Sequence, residues 1–233
     1  MQKALEQLDE VWTAARQAAV ASRCAVEPTV PECETSHGIG IGIVIVPSLP
    51  TISAIAAKID ELSKNDAGQY WYPPTSLHIT LHGIVWRENG VLPPESDLMR
   101  LKNALRPTMS GVGFPHLTLR GLNLFPGIGK QVGAIIVQGF PNDDLLLLRD
   151  RIRQCMVDVG YPDRRNYAFG RGSYLTCTIA RLRKQPSNGL IARINESRMM
   201  EIAEFDVTEL VLTSNSYFFT SENTTVRERF DIL

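Results

Sequence analysis

The octapeptide Ser76-Leu77-His78-Ile79-Thr80-Leu81-His82-Gly83 puts two imidazoles and a hydroxyl at alternate positions. Alternate side chains of an extended strand share a face, so the pattern predicts His78, Thr80 and His82 on one side and Leu77, Ile79 and Leu81 in the core. An imidazole moves a proton near neutral pH, and a neighbouring hydroxyl can hold a non-bridging phosphate oxygen, so the set suits phosphate chemistry. A plain solvated strand face would carry the same residue types. His116-Leu117-Thr118-Leu119 repeats the form, so the tripeptide alone does not single out one site.

Other candidates stand nearby. Tyr70, Trp71 and Tyr72 precede the first motif and could stack a nucleobase, or pin a proline-rich loop to the surface. Basic residues outnumber acidic ones between positions 141 and 190, a local excess that attracts phosphate. Within it Arg149, Arg151 and Arg153 read as the solvated face of a helix, which leaves Arg171 and Arg181 as the phosphate candidates. Gly38-Ile39-Gly40-Ile41-Gly42 lacks the spacing of a dinucleotide-binding turn and reads as close backbone packing in a strand.

Periodicity supplies the elements that must position these groups. Helical spacing of Leu5, Leu8, Trp12, Ala15 and Ala19 predicts a helix over 2–22, followed by a breaker-rich loop. Strands are expected over 38–46, 77–86, 114–122, 132–140, 174–182, 207–214 and 225–232. Helices are expected from Thr51 or Ser53 to about 63, over 95–105, over 142–159 and over 190–204. The strand–helix–strand rhythm occurs twice without a strict repeat, which reads as one α+β domain of two similar lobes.

Composition narrows the classes. The chain has 233 residues, 44% hydrophobic and 21% charged, which excludes global disorder. Twenty-four basic against 25 acidic side chains give a net charge of −1, against an indiscriminate polycation and against duplex DNA as a partner. The longest apolar run is too short to cross a bilayer, and Glu6, Asp9 and Glu10 interrupt any signal-peptide core. Cys24, Cys33, Cys155 and Cys177 show no metal spacing, so a reduced, cytoplasmic protein with no membrane association is expected.

The order of these features resembles the 2H phosphoesterase superfamily, the 2′-5′ RNA ligase-like or cyclic phosphodiesterase proteins. The 39–46 strand, the helix after it and Leu77-His78-Ile79-Thr80-Leu81 resemble that family's first half. The stretch from Phe114 to Pro126 resembles the strand opening its second lobe, and Thr178-Ile179-Ala180-Arg181 resembles the end of its second signature. The resemblance implies an α+β fold of two pseudo-symmetric lobes with antiparallel sheets around a central cleft. It covers 35–233 as a single bilobal domain, with 1–34 as an N-terminal helix and loop extension. It also sets Thr176 where the family's second histidine stands, about half the bilobal unit beyond His78, so the second H-x-T motif is degenerate.

The resemblance also implies a definite site. His78, Thr80, Thr176 and Thr178 form the catalytic set, with His78 as acid or base, and Tyr72, His82, Arg171 and Arg181 bind substrate. The implied ligands are nucleotides or short RNA with 2′,3′-cyclic phosphate, 2′-5′ or cyclic oligonucleotide linkages. The implied protein is a monomer or weak homodimer using no metal and no organic cofactor. A threonine cannot shuttle protons near neutral pH. Three readings therefore stand: a hydrolase of reduced activity, an inactive nucleotide-binding module that senses or sequesters its ligand, or a scaffold that has kept only the fold, with the N-terminal helix as its interaction surface. All four site residues are expected to line one cleft, and the N-terminal helix to lay its apolar stripe on its own chain.

Overall fold

The computed structural model describes residues 2–32, 39–87, 94–127, 132–161, 173–216, 219 and 223–232. Its elements run α1 (Gln2–Val20), β1 (Ile39–Ile45), α2 (Leu49–Ser63), β2 (Tyr70–Trp71), a 3-10 turn (Pro74–Ser76), β3 (Ile79–Arg87), α3 (Glu95–Thr108), β4 (His116–Phe125) and β5 (Ala134–Pro141). They continue through α4 (Asp143–Asp158), β6 (Leu175–Arg181), α5 (Asn188–Glu196), β7 (Glu201–Asp206), β8 (Glu209–Ser216) and β9 (Thr225–Asp231).

The strands form one antiparallel sheet in the order β7-β4-β5-β6-β3-β1-β8-β9, with β2 added on β6. Four strands from each half of the fold meet at β3 and β6, where Ile79 pairs with Cys177. The two lobes of this α+β fold are thus halves of a continuous sheet. Leu122, Val137, Cys177 and Ile79 lie level across β4, β5, β6 and β3, and all four are fully buried. They share one core with Leu145, Leu148, Ile152 and Met156 of α4, so this is the face the helices cover. Alternation turns the next residues of each strand to the opposite, open face.

Caps and turns fix where strands begin. The Asn142 side chain accepts from Leu145 N at the start of α4 and from His116 N, and donates to the Phe114 carbonyl. One N-cap therefore sets both the helix and the entry to β4. Gly121, with φ of 80°, lets the backbone of Arg198 approach to where a Cβ would sit.

Some bounds differ by a few residues, with α2 starting at Leu49 and α3 running on through Pro107 to Thr108, and two segments differ in kind. The helix expected over 190–204 stops at Glu196, and the segment after it becomes β7. Ala203 and Phe205 stand opposite Leu119 and Leu117, so cross-strand pairing along β4 outweighs helical propensity there. Tyr70 and Trp71, read as loop aromatics, form β2 against Arg181 and Ala180. The basic stretch at 163–172, with Arg171, lies outside the described residues.

Candidate functional site

His78 sits immediately before β3, and its ring is oriented by the turn in front of it. Pro73 and Pro74 favour the tight 3-10 turn, closed by Ser76 N donating to the Pro73 carbonyl at 2.9 Å. That turn presents the Ser76 carbonyl to His78 Nδ1 at 2.8 Å. A carbonyl only accepts, so Nδ1 carries the proton and Nε2 is left with a lone pair. The ring of Phe219 lies flat on the imidazole, centroids 3.5 Å apart and planes 20° apart. Burial, opposed by the Ser76 hydrogen bond and reinforced by the positive charge of Arg181, lowers the His78 pKa to about 4. A neutral imidazole of this tautomer can accept a proton at Nε2.

The register at the lobe junction brings the threonines to this imidazole. Ile79 and Cys177 are paired, so one step either way along antiparallel strands sets His78 level with Thr178 and Thr80 level with Thr176. All four side chains leave the face opposite Ile79 and Cys177 and are partly exposed. Among the described residues none hydrogen-bonds the hydroxyls of Thr80, Thr176 or Thr178. Three hydroxyls and an imidazole lone pair thus converge on one patch, which suits an anion with several oxygens.

Arg181 stands at the end of β6, where a buried knot holds the chain. The Asp66 carboxylate accepts from Ser187 N and from Gln69 Nε2, each at 3.1 Å, and pairs with Lys184. Burial raises the Asp66 pKa, but these three partners outweigh it and leave the group below its ordinary value. Gln69 in turn accepts from Arg183 N. Arg181 donates to the Tyr72 hydroxyl at 3.4 Å and to the Val132 carbonyl at 3.2 Å.

Three sequence expectations need correction. His82 does not share the face of His78. The ladder between β1 and β3 shifts at Leu81, pairing Ile43 with His82 and Val44 with Thr80, and this bulge turns His82 into the row of Ile43 and Leu212. It is 1% exposed and belongs to the core. Tyr72 is 2% exposed, so its ring is no stacking platform, and only its hydroxyl reaches Arg181. His116 shares the open face but lies on β4, with β5 between it and β6. Strand spacing and rise put it more than about 20 Å from His78. There it hydrogen-bonds Asp206 at 2.8 Å on the neighbouring strand.

Phe219 and the Ser76 carbonyl were not legible in the sequence. Phe219 adopts a left-handed φ of 55°, a conformation costing about 1 kcal/mol, and nothing in its own side chain signals that geometry. A backbone acceptor carries no sequence signal at all. Among the described residues no group of three His, Cys, Asp or Glu could hold a metal ion, and no helix is long and apolar enough to cross a membrane. A groove of about 490 Å³ between α3 and α4 shares no residue with the open face.

No protein-family model matches the chain, and no curated protein matches it in sequence. Solved structures do match in fold. TT0787 of Thermus thermophilus superposes with a TM-score of 0.60 at 18% identity, over 83% of this chain and 97% of that one. LigT of Escherichia coli in complex with 3′-AMP gives 0.56 at 14% identity, and its NADP+ complex 0.53 at 16%, both over 83% of this chain and 97% of theirs. At such identities the likeness is one of fold, and it is the bilobal 2H phosphoesterase-like α+β fold that the sequence resemblance implies.

Proposed function

We propose that the open face at the β3–β6 junction binds a nucleotide phosphate and acts on it by metal-independent acid–base chemistry. The ligand class is a nucleotide or short RNA end carrying a 2′,3′-cyclic phosphate or a 2′-5′ linkage. The observation that carries this reading is the convergence of the His78 imidazole, its proton fixed on Nδ1, with the hydroxyls of Thr80, Thr176 and Thr178. LigT, which shares the fold, is described in complexes with 3′-AMP, NADP+ and ATP, and this supports a nucleotide ligand.

On this reading Thr80, Thr176 and Thr178 donate to the non-bridging oxygens, and Arg181 adds positive charge beside them. His78 Nε2 takes a proton from water as the water oxygen bonds to phosphorus. The bond from phosphorus to one ribose oxygen breaks, and that oxygen takes its proton from solvent, because the side chain at 176 is a hydroxyl. Positioned general-acid or general-base help is worth ~10²–10⁴-fold, so one missing imidazole leaves a slow hydrolase. A second reading, binding without turnover, is favoured by Thr176 and by the Phe219 ring lying on the imidazole.

The test is calorimetric titration and turnover with 2′,3′-cyclic mononucleotides, on the wild type and on His78→Ala. Slow turnover that His78→Ala abolishes, with binding kept, is the expected result. Binding without turnover selects the second reading. A wild type that neither binds nor turns over any of the four cyclic mononucleotides, a short RNA ending in a cyclic phosphate or a 2′-5′ dinucleotide overturns both.

A further inference from the structure

The open face is not open over its whole width, because α1 lies on the half built from β4 and β5. The row that ends in Thr178 and His78 begins with Asn123 on β4 and Ile136 on β5. The row that ends in Thr176 and Thr80 begins with Gln138. These first members face the same way as the site, yet Asn123 is 0% exposed, Gln138 1% and Ile136 2%. The cover is α1: Asn123 Nδ2 donates to the Leu8 carbonyl at 2.9 Å, and Ala4 and Leu8 pack on Phe140. Leu5 and Tyr174 flank that contact.

Polar capacity under the helix is used up. Asn123 Nδ2 also donates to Gln138 Oε1 at 3.0 Å, and Asn123 Oδ1 accepts from Leu124 N. Gln138 Nε2 donates to the carbonyls of Arg120 and Arg198. Both amides are therefore committed to the helix and the sheet, in contrast to the threonine hydroxyls beside them. The helix is tied at further points. Arg198 pairs with Asp9 and lies 5.0 Å over the Trp12 ring, and Gln7 Oε1 accepts from Ser173 N, two residues before β6.

We propose that α1 is a wall that limits the ligand to mononucleotide size, so the preferred substrate is a mononucleoside cyclic phosphate rather than the end of an RNA chain. This rests on the functional reading above. β6 and β3 are neighbouring strands about 5 Å apart, and the next strand, β5, already lies under α1, so about one phosphate and its ribose fit before the helix is met. A chain running on across the second lobe finds Leu8, Trp12 and their backbone where its next nucleotides would lie.

The test compares one 2′,3′-cyclic mononucleotide with tri- and hexanucleotides ending in the same cyclic phosphate, by calorimetry on the full chain. Hydrogen exchange then maps which amides each ligand protects. The expected result is that added nucleotides improve the dissociation constant by less than twofold, and that protection falls on β3 and β6 but not on α1. Oligonucleotides that bind tenfold or more tightly than the mononucleotide, or that protect α1, overturn the wall while leaving the functional reading intact. If none of the three binds, the functional reading itself fails, and the wall with it.

Discussion

Removing the ring of Phe219 tests whether burial keeps His78 neutral. The imidazole pKa is lowered from 6.5 to about 4, a gap worth roughly 3 kcal/mol at 1.36 kcal/mol per unit. At pH 7 only about one molecule in a thousand then carries the proton on Nε2. Phe219 covers one whole face of the ring at 3.5 Å, so Phe219→Ala lets water reach that face and should raise the midpoint by about one unit or more. The assay is NMR titration of the imidazole nitrogens between pH 3.5 and 8, with His78→Gln to assign the resonances. Wild type should show the Nδ1–H tautomer and a midpoint near 4.

The same shift has a stability signature with a definite sign. Between the unfolded value of 6.5 and the folded value of about 4, the unfolded chain binds the proton and the folded chain does not. Stability therefore has its full value above pH 6.5 and is lost as pH falls toward 4, by up to roughly 3 kcal/mol, levelling below that. Urea unfolding of wild type should show this slope, and His78→Gln should lack it. A wild-type midpoint near 6.5, or a midpoint that Phe219→Ala leaves unmoved, would refute the argument that burial and the stacked ring set the base.

Two further substitutions probe the rest of the face. His78 and Thr176 are diagonal neighbours across the junction, a geometry that sets their Cα atoms about 7–8 Å apart, with room for a phosphate between. Thr176→His should raise turnover of a 2′,3′-cyclic nucleotide about tenfold, and His78→Ala in that background should remove the gain; an unchanged rate in a folded variant rejects the placement of the missing acid. His116→Ala should leave turnover within about twofold and cost no more than about 1 kcal/mol in urea unfolding, since its pairing with Asp206 is exposed. A tenfold loss of activity would bring the far end of β4 into the site.

What the sequence made legible was governed by local rules, and what it hid was governed by register. The alternation of Leu77 through Thr80 needs only a strand, and His78 and Thr80 do face together. Extending that alternation to His82 failed because one extra residue in the ladder, at Leu81, turns His82 to the other face. The bulge is set by how β3 meets β1, and no residue type around it announces this. His116 illustrates the same limit: its tripeptide matches that of His78, but only the insertion of β5 between β4 and β6 decides that it lies elsewhere. The stripe on α1 was legible as apolar. That it would lie on the open face, on top of Asn123 and Gln138, depends on a contact across 115 positions of chain.

A base with a pKa near 4 is poorly matched to work at pH 7, and on the proposed reading the ligand itself would supply the correction. A phosphate monoanion about 5 Å from the imidazole, at an effective dielectric near 20, favours the protonated ring by about 3 kcal/mol. That is roughly the gap burial opens, so the bound anion returns His78 toward its ordinary value, where proton transfer is efficient. Arg181 opposes this, since its charge destabilises the imidazolium, but it also draws the anion in. On this reading the imidazole alone is a weak base, and a phosphate seated on the threonines would raise its basicity. On the proposed reading, occupancy of the anion patch switches on the chemistry, and α1 decides which ligands are small enough to do so.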